Sequence, residues 1–400
     1  MGLMGTVTRT MEVGMVGGGG PKNFFGPPHM SSIVLDRTAI VAAGAMRSKP
    51  EEAITAGNRL LIPRVYGSYK DMIVMEKQLP LGTRMDYLTV VTRNNTHFPI
   101  AKMALENGFP VLCEKPMTMT LVEAKELIGL VENIGLPFVT AYTYTGFPMV
   151  MLARELVQQG VIGSPRKVAA AYDQGWLATR LEDEGQQQAV WRVDPEQAGS
   201  GGCIGDIGSH AEMFARFVTG LEISEVSARL FTFAEGRELD DDFAAFVRFS
   251  SGQIGTISAT QIQIGAENDN SFTIAGDEGT LQWSMKDPFS LWHTGKNVPA
   301  AASVYRLGAN YSYIPDIMKP YLRLPCGHYE AFLEALANLH RTIELQIRRK
   351  NSETDWDGNE LPKPYPHPGV RDGAKGIAFI EAAYASSQYD GAWTTLAAVE

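Results

Sequence analysis

The sequence predicts an α/β fold: an N-terminal doubly wound parallel sheet, then an α+β domain with a large, mainly antiparallel sheet. Three observations predict it. Over about the first 140 residues, short apolar runs alternate with helix-length amphipathic stretches, which implies parallel strands covered on both faces. Beyond about residue 145, strand-like runs follow one another with turn signals between them. The chain has 400 residues, 44% hydrophobic and 20% charged, a soluble composition at a length that favours two cores over one. The expected division is an N-terminal extension at 1–11, a nucleotide-type domain at 12–143, and a second domain at 144–400.

In chain order, "EVGMVGGGG" is a strand entering a glycine-rich turn, and "PPHMSSIVLD" a helix opened by prolines, whose fixed φ suits a first turn. "TAIVAAGAM" is a second strand, and "KPEEAITAGNRLL" a helix with acidic residues at its N-terminus. "MDYLTVVT", "PIAKMALENG", "FPVLCEKP", "TLVEAKELIGLVENIG" and "PFVTAYTY" continue the alternation. The second half begins with a helix, "FPMVMLARELVQQGVIG", and a strand, "PRKVAAAYDQGW". "CIGDIGSHAEMFARFVTG" has helical periodicity. "EVSARLFTF", "DFAAFVRFSSGQIGTISATQIQI" and "SFTIAGDEGTLQW" are strands, the middle one folding as a hairpin at Ser250, Ser251 and Gly252. "HYEAFLEALANLHRTIELQIRR" and "GAKGIAFIEAAYASSQY" are helices joined by a polar, Pro-rich loop.

The formal net charge of -10, with no basic cluster interleaved with aromatics, argues against nucleic acid and anionic membranes as partners. Cys113, Cys203 and Cys326 are odd in number and widely spread, which favours free thiols in a reducing compartment. No signal-peptide pattern and no run of about 18 apolar residues is present, so a cytoplasmic location is expected.

The turn "VGMVGGGGPKNFFGPPH" follows a strand and opens a helix, the context a dinucleotide-binding turn requires. Glycine lets the backbone approach a pyrophosphate, and a helix N-terminus offers free N–H groups and partial positive charge. Gly17 and Gly19 fit G-x-G-x-x-G, but Lys22 takes the third place and the next glycine is Gly26. After the second strand comes "MRSKP", with no acid to hold a ribose diol. Arg47 and Ser48 permit a 2′-phosphate there, or Arg47 covers an adenine face, so NAD and NADP both stay open.

Two further features carry chemistry. Asp206 and His210 in "GSGGCIGDIGSHAEMF" are four apart and share a helix face. At the end of an apolar strand, "VLCEKP" delivers Glu114 and Lys115, an expensive place for charge without a purpose. An imidazole base, a nearby carboxylate and an ammonium form a set suited to taking a proton from an alcohol. Asp206 and His210 lack further spaced ligands, so no metal is expected.

With these residues, together with "TRNNTH", "FTIAGDEGTLQW" and "PCGHYEAF", the chain resembles the Gfo/Idh/MocA oxidoreductases over nearly its whole length. The resemblance implies a Rossmann domain, a nicotinamide cofactor and a sugar or polyol substrate. It makes Lys115, Asp206 and His210 catalytic. It puts Gly17, Gly19, Gly20, Asn23, Phe24, Phe25, Arg47, Ser48, Asn94, His97, Glu114 and Lys115 by the cofactor, with NAD slightly favoured over NADP. "FPMVMLAREL", "YDQGWL" and "GHYEAF" look like the branch of levoglucosan dehydrogenases and bacterial glycoside 3-oxidoreductases, which oxidise a ring hydroxyl, commonly at C3. Tyr144, Tyr172, Gln174, Trp176, Arg192 and His328 are then substrate-pocket candidates, their rings and polar groups suiting a sugar. A homo-oligomer is implied as well. An inositol or cyclic polyol dehydrogenase, or a catalytically silent nucleotide sensor, is the alternative. Arg93, where the family commonly has proline, and the altered glycine turn put cofactor details rather than the fold in doubt.

Overall fold

In the computed structural model the described residues are 7–20, 23–297, 303–306, 312–322 and 331–399. Lys22, Cys326 and His328 lie outside them. The elements run β1 (Met11–Gly17), α1 (Gly26–Val34), β2 (Ala39–Ala45), α2 (Pro50–Arg59), β3 (Arg64–Val65), α3 (Tyr69–Gln78), β4 (Tyr87–Val91), α4 (His97–Glu106), β5 (Val111–Glu114), α5 (Leu121–Ile134) and β6 (Phe138–Ala141). After these come α6 (Pro148–Gln158), β7 (Pro165–Asp173), α7 (Gln187–Arg192), α8 (Pro195–Ala198), α9 (Ser209–Thr219), β8 (Ile223–Phe231), β9 (Asp242–Phe249), β10 (Ile254–Thr260), β11 (Asp269–Gly276), β12 (Gly279–Ser284), β13 (Ser290–Gly295) and β14 (Ser303–Arg306). The last are α10 (Ala331–Lys350), α11 (Val370–Gln388) and β15 (Thr394–Thr395).

The first six strands form one parallel sheet in the order β3-β2-β1-β4-β5-β6. Every residue of β4, β5 and β6 is buried, as expected where helices cover both faces. The strand order reverses between β1 and β4, where Gly17 lies opposite Val91 at the carboxyl ends. Open sheets of this kind bind ligands at such a switch point. Two elements of this parallel half escaped the sequence reading. β3 has only two residues, and α3 is a short helix capped by Ser68, whose hydroxyl accepts from the Asp71 N–H at 3.1 Å.

The chain forms two compact units, one from Met1–Thr118, Val122–Gly146 and Asp316–Gly373, the other from Met119–Leu121, Phe147–Pro315 and Ala374–Glu400. Helix α10, expected within 144–400, therefore belongs with the first sheet. Leu339, Ile343 and Ile347 recur every four residues and bury against Met11, Val13, Tyr87, Leu112 and Val139.

The second unit holds a nine-stranded sheet in the order β14-β13-β12-β11-β7-β10-β9-β8-β15. Only the β7–β10 pair among these is parallel. β9 alternates buried and exposed residues, the signature of a sheet with one covered face. The β9–β10 hairpin turns as predicted, with Gly252 at φ +96°. At β11 and β12, Phe272 and Trp283 join Phe147 and, from α9, Phe214 in a cluster of ring contacts. Cys113 and Cys203 are buried free thiols, and burial pushes both up. Among the described residues no helix is long and apolar enough to cross a membrane.

Candidate active site

The glycine turn joins β1 to α1. A Cβ on Gly26 would lie 2.1 Å from the Gly18 carbonyl oxygen, so Gly26 supplies the close helix–turn packing that the altered motif lacks at position 22. A cavity of about 880 Å³ opens beside the turn, lined by Gly18, Gly19, Gly20, Ser31, Arg47 and Thr55 among others. Contrary to the expectation from the sequence, the N-terminus of α1 offers no free first-turn N–H groups. Asn23 Oδ1 accepts from the N–H of Phe25 (3.0 Å) and of Gly26 (2.7 Å). Pro27 and Pro28 have none to give, and the His29 N–H bonds to the Phe25 carbonyl at 3.0 Å. Asn23 thus places an amide oxygen on donors that an anion would take. Phe24 is half exposed, Phe25 packs near Phe332, and Ser48 is exposed. A glycine-lined cavity, exchangeable donors and a cation at the rim fit a dinucleotide.

At the carboxyl ends of β4 and β5 lies the second group. Asn94, itself buried, opens a short 3₁₀ turn just after β4. His97 directs Nδ1 to the Pro116 carbonyl at 2.7 Å and Nε2 to the Thr92 carbonyl at 3.2 Å, so its ring ties the β4 end to the E-K-P turn. Burial lowers the His97 pKa, and the two carbonyls oppose that shift. Lys115 is buried to 8% exposure, with Glu114 beside it. Tyr144, also buried, lies in the first unit with its ring 6.1 Å from that of Phe332.

In the second unit a π-helical turn, Ile204–Gly208, carries Asp206 directly into α9, which carries His210. Such turns interrupt a helix and frequently mark functional positions. Asp206 Oδ2 accepts from Arg192 Nε (3.0 Å) and Gln261 Nε2 (2.9 Å). The Arg192 guanidinium also lies over the rings of Trp191 and Trp176. The His210 ring sits 5.9 Å from that of Tyr172. From Tyr172 a polar strip continues: its hydroxyl donates to Asn268 Oδ1 (2.8 Å), Gln174 Nε2 donates to the same oxygen (2.6 Å), and Trp176 Nε1 donates to Gln174 Oε1 (2.9 Å). The structure therefore gathers Tyr172, Gln174, Trp176, Arg192, Asp206 and His210 in one unit.

Asp240 builds the turn beneath Asp206. Its carboxylate accepts from the N–H groups of Gly202 (2.6 Å) and Ile204 (2.8 Å). A Cβ at Gly202 would meet the Asp240 carbonyl oxygen at 2.3 Å, which explains the glycine there. Burial pushes the Asp240 carboxyl up to about 6. The folded state thus holds this proton more tightly than an unfolded aspartate of about 3.9. Its stabilising effect is complete below about pH 4 and is lost as pH rises through about 6. Asp240→Asn is expected to flatten that segment of the melting temperature against pH, measured by circular dichroism.

Residues 11–142 match the family described as "Oxidoreductase family, NAD-binding Rossmann fold", and residues 150–282 match the GFO/IDH/MocA C-terminal domain. The chain belongs to the Gfo/Idh/MocA oxidoreductase family. A solved oxidoreductase from Sinorhizobium meliloti is 33% identical with a TM-score of 0.83, covering 96% of this chain and 99% of its own. An inositol dehydrogenase homologue from Azotobacter vinelandii, solved with NAD+, is 26% identical with a TM-score of 0.87, covering 97% and 98%. Levoglucosan dehydrogenase of Pseudarthrobacter phenanthrenivorans is 27% identical over 308 residues, 70% of this chain and 74% of that one.

This Gfo/Idh/MocA protein thus carries an NAD-binding Rossmann domain and is an oxidoreductase of the sugar- and polyol-acting family. The cation at the cavity rim is compatible with NAD because Arg47 is already paired: Arg47 Nη2 lies 2.7 Å from Glu52 Oε2, at the start of α2. Glu52→Gln should free the guanidinium and raise kcat/KM for NADP relative to NAD by about two- to fivefold, as expected of an exposed ion pair. Steady-state kinetics with both cofactors reads this directly, and an unchanged ratio removes Arg47 from cofactor choice.

The sequence reading missed Asn268 and Gln261, which complete the polar strip and the Asp206 environment. Gln261 follows a β-strand whose partner reaches Asp173, a relation visible only once the strands are paired.

Proposed function

We propose that the protein oxidises a ring hydroxyl, at C3, of a pyranose, glycoside or anhydrosugar. The observation that carries this reading is the strip of second-unit rings and amides, Tyr172, Asn268, Gln174, Trp176 and Arg192, running up to Asp206 and His210. Flat apolar faces edged by hydrogen-bonding groups suit a sugar, whose ring faces are apolar and whose rim is hydroxylated. The relative that acts on levoglucosan supports an anhydrosugar or glucoside as substrate.

In this reading, Gly17, Gly19, Gly20, Arg47 and Asn94 hold the cofactor, and bound NAD supplies the hydride acceptor. His210 takes the hydroxyl proton as base. Lys115 donates to the reacting oxygen and stabilises the charge that grows there. Asp206, fixed by Arg192 and Gln261, binds and orients the neighbouring hydroxyl. We assign the protein to a reducing cytoplasm, in keeping with its buried free thiols. We also assign it to a homo-oligomer, because Phe246 and Ile254 stand exposed on the second sheet.

The test begins with the purified protein, denatured to release any carried dinucleotide for mass spectrometry. Levoglucosan, methyl β-D-glucoside and myo-inositol are then each offered with NAD+ while nicotinamide absorbance is followed. Reduction on the glucoside or anhydrosugar supports the proposal. Reduction on myo-inositol alone overturns the substrate class and leaves the family intact.

A further inference from the structure

Four residues from four elements form one buried line in the first unit. Glu114 Oε1 on β5 lies 2.8 Å from His29 Nε2 on α1. His29 Nδ1 lies 3.0 Å from His340 Nε2 on α10, and His340 Nδ1 lies 3.0 Å from the Tyr87 hydroxyl on β4. Their positions are 85, 311 and 253 residues apart in sequence. None of the four is more than 7% exposed. We propose that Tyr87, His340 and His29 form a one-directional hydrogen-bond relay that holds the Glu114 carboxylate, and through it the Glu114–Lys115 turn, in working orientation.

The direction follows from the far end. A buried hydroxyl left without an acceptor is costly, and among the described residues the Tyr87 O–H has one partner, His340 Nδ1. Tyr87 therefore donates, and His340 Nδ1 carries no proton. A neutral His340 must then bear its proton on Nε2, so it donates to His29 Nδ1. That leaves His29 protonated on Nε2, aimed at the carboxylate. Burial holds His340 well below the ordinary histidine range and Tyr87 well above the ordinary phenol range, so both stay neutral. Every hydrogen bond thus points towards Glu114, and each strengthens the next. Glu114 Oε2 in turn accepts the Lys115 backbone N–H at 3.3 Å, so the carboxylate ties the relay to the lysine's own backbone.

His29 and His340 are positioning residues in this scheme, acting through Glu114. Their effect on rate rests on the assignment of Lys115 as polariser; the proton pattern does not. The first measurement is ¹⁵N NMR of histidine-labelled full-length protein, with resonances assigned by their loss in His29→Phe and His340→Phe. The expected result is two neutral rings, each protonated on Nε2. A proton on Nδ1 of either ring, or a doubly protonated His29, overturns the relay.

The second measurement is turnover of levoglucosan or methyl β-D-glucoside with NAD+, normalised to the NADH-binding stoichiometry. His29→Phe should lower kcat by about ten- to hundredfold with KM little changed, the cost of a misplaced reacting group. His29→Gln, which keeps an N–H donor for Glu114, should recover most of it. Full turnover in His29→Phe, or equal loss in both variants, overturns the positioning role. A Lys115→Ala protein that keeps its turnover overturns the polariser assignment instead, and leaves the proton pattern unchanged.

Discussion

Lys115→Ala is expected to lower kcat by about 10²- to 10³-fold, the loss seen when one donor to a developing oxyanion is removed, while the protein stays folded. The structure makes this a clean separation of chemistry from stability. The turn around residue 115 is held by its neighbours: Glu114 Oε1 by His29 Nε2 at 2.8 Å, and the Pro116 carbonyl by His97 Nδ1 at 2.7 Å. Neither clamp uses the lysine side chain, so truncating it leaves both in place. If the ammonium stabilises the transition state alone, kcat and kcat/KM fall together. If it also holds the ground-state hydroxyl, KM for the sugar rises as well. Steady-state kinetics with the substrate that reduces NAD+, beside a thermal melt and an NADH fluorescence titration, distinguish these. A variant retaining most of its turnover removes Lys115 from the chemistry, whatever its melting temperature.

The parallel half was legible because punctuation and period agree there. Gly and Pro mark the junction of β1 with α1, and apolar runs mark β4 and β5. Among the candidate residues, Lys115 stood out because charge at the end of an apolar run is costly without a purpose, and Asp206 and His210 because a spacing of four puts them on one helix face. What stayed hidden depends on contacts between distant parts of the chain. The periodicity of α10 reveals an apolar face but not which sheet it covers, and its packing against the first sheet is visible only in the folded chain. His29 and His340 are lone histidines in two separate helices; nothing local pairs residues 311 apart. The α1 N-terminus is a different lesson. Pro27 and Pro28 were visible, and their missing N–H groups already argued against a full set of free donors. Only the capture of the remaining donors by Asn23 needed the structure.

Gly26→Ala should damage both stability and cofactor binding, and comparison with Gly20→Ala separates the two causes. A Cβ at position 26 would sit 2.1 Å from the Gly18 oxygen and 2.6 Å from the Gly18 carbonyl carbon and Cα. These are backbone atoms, so no side-chain rotation relieves the clash. α1 or the turn must move, at a cost of about 1–3 kcal/mol typical of overpacking, or more where backbone is fixed on both sides. Movement of α1 carries Asn23, the Phe25 and Gly26 donors and the cavity wall with it, so NADH affinity should fall by about tenfold or more, as a displaced binding geometry predicts. At Gly20 a Cβ meets nothing nearer than Arg47 at 3.8 Å, and Gly20→Ala should melt like the unmodified protein. If Gly20→Ala nevertheless binds NADH weakly, the turn needs glycine at that position for the close approach of the ligand. If both variants melt and bind normally, the helix–turn contact at Gly26 is softer than its geometry implies, and Gly26 does not replace the missing third glycine.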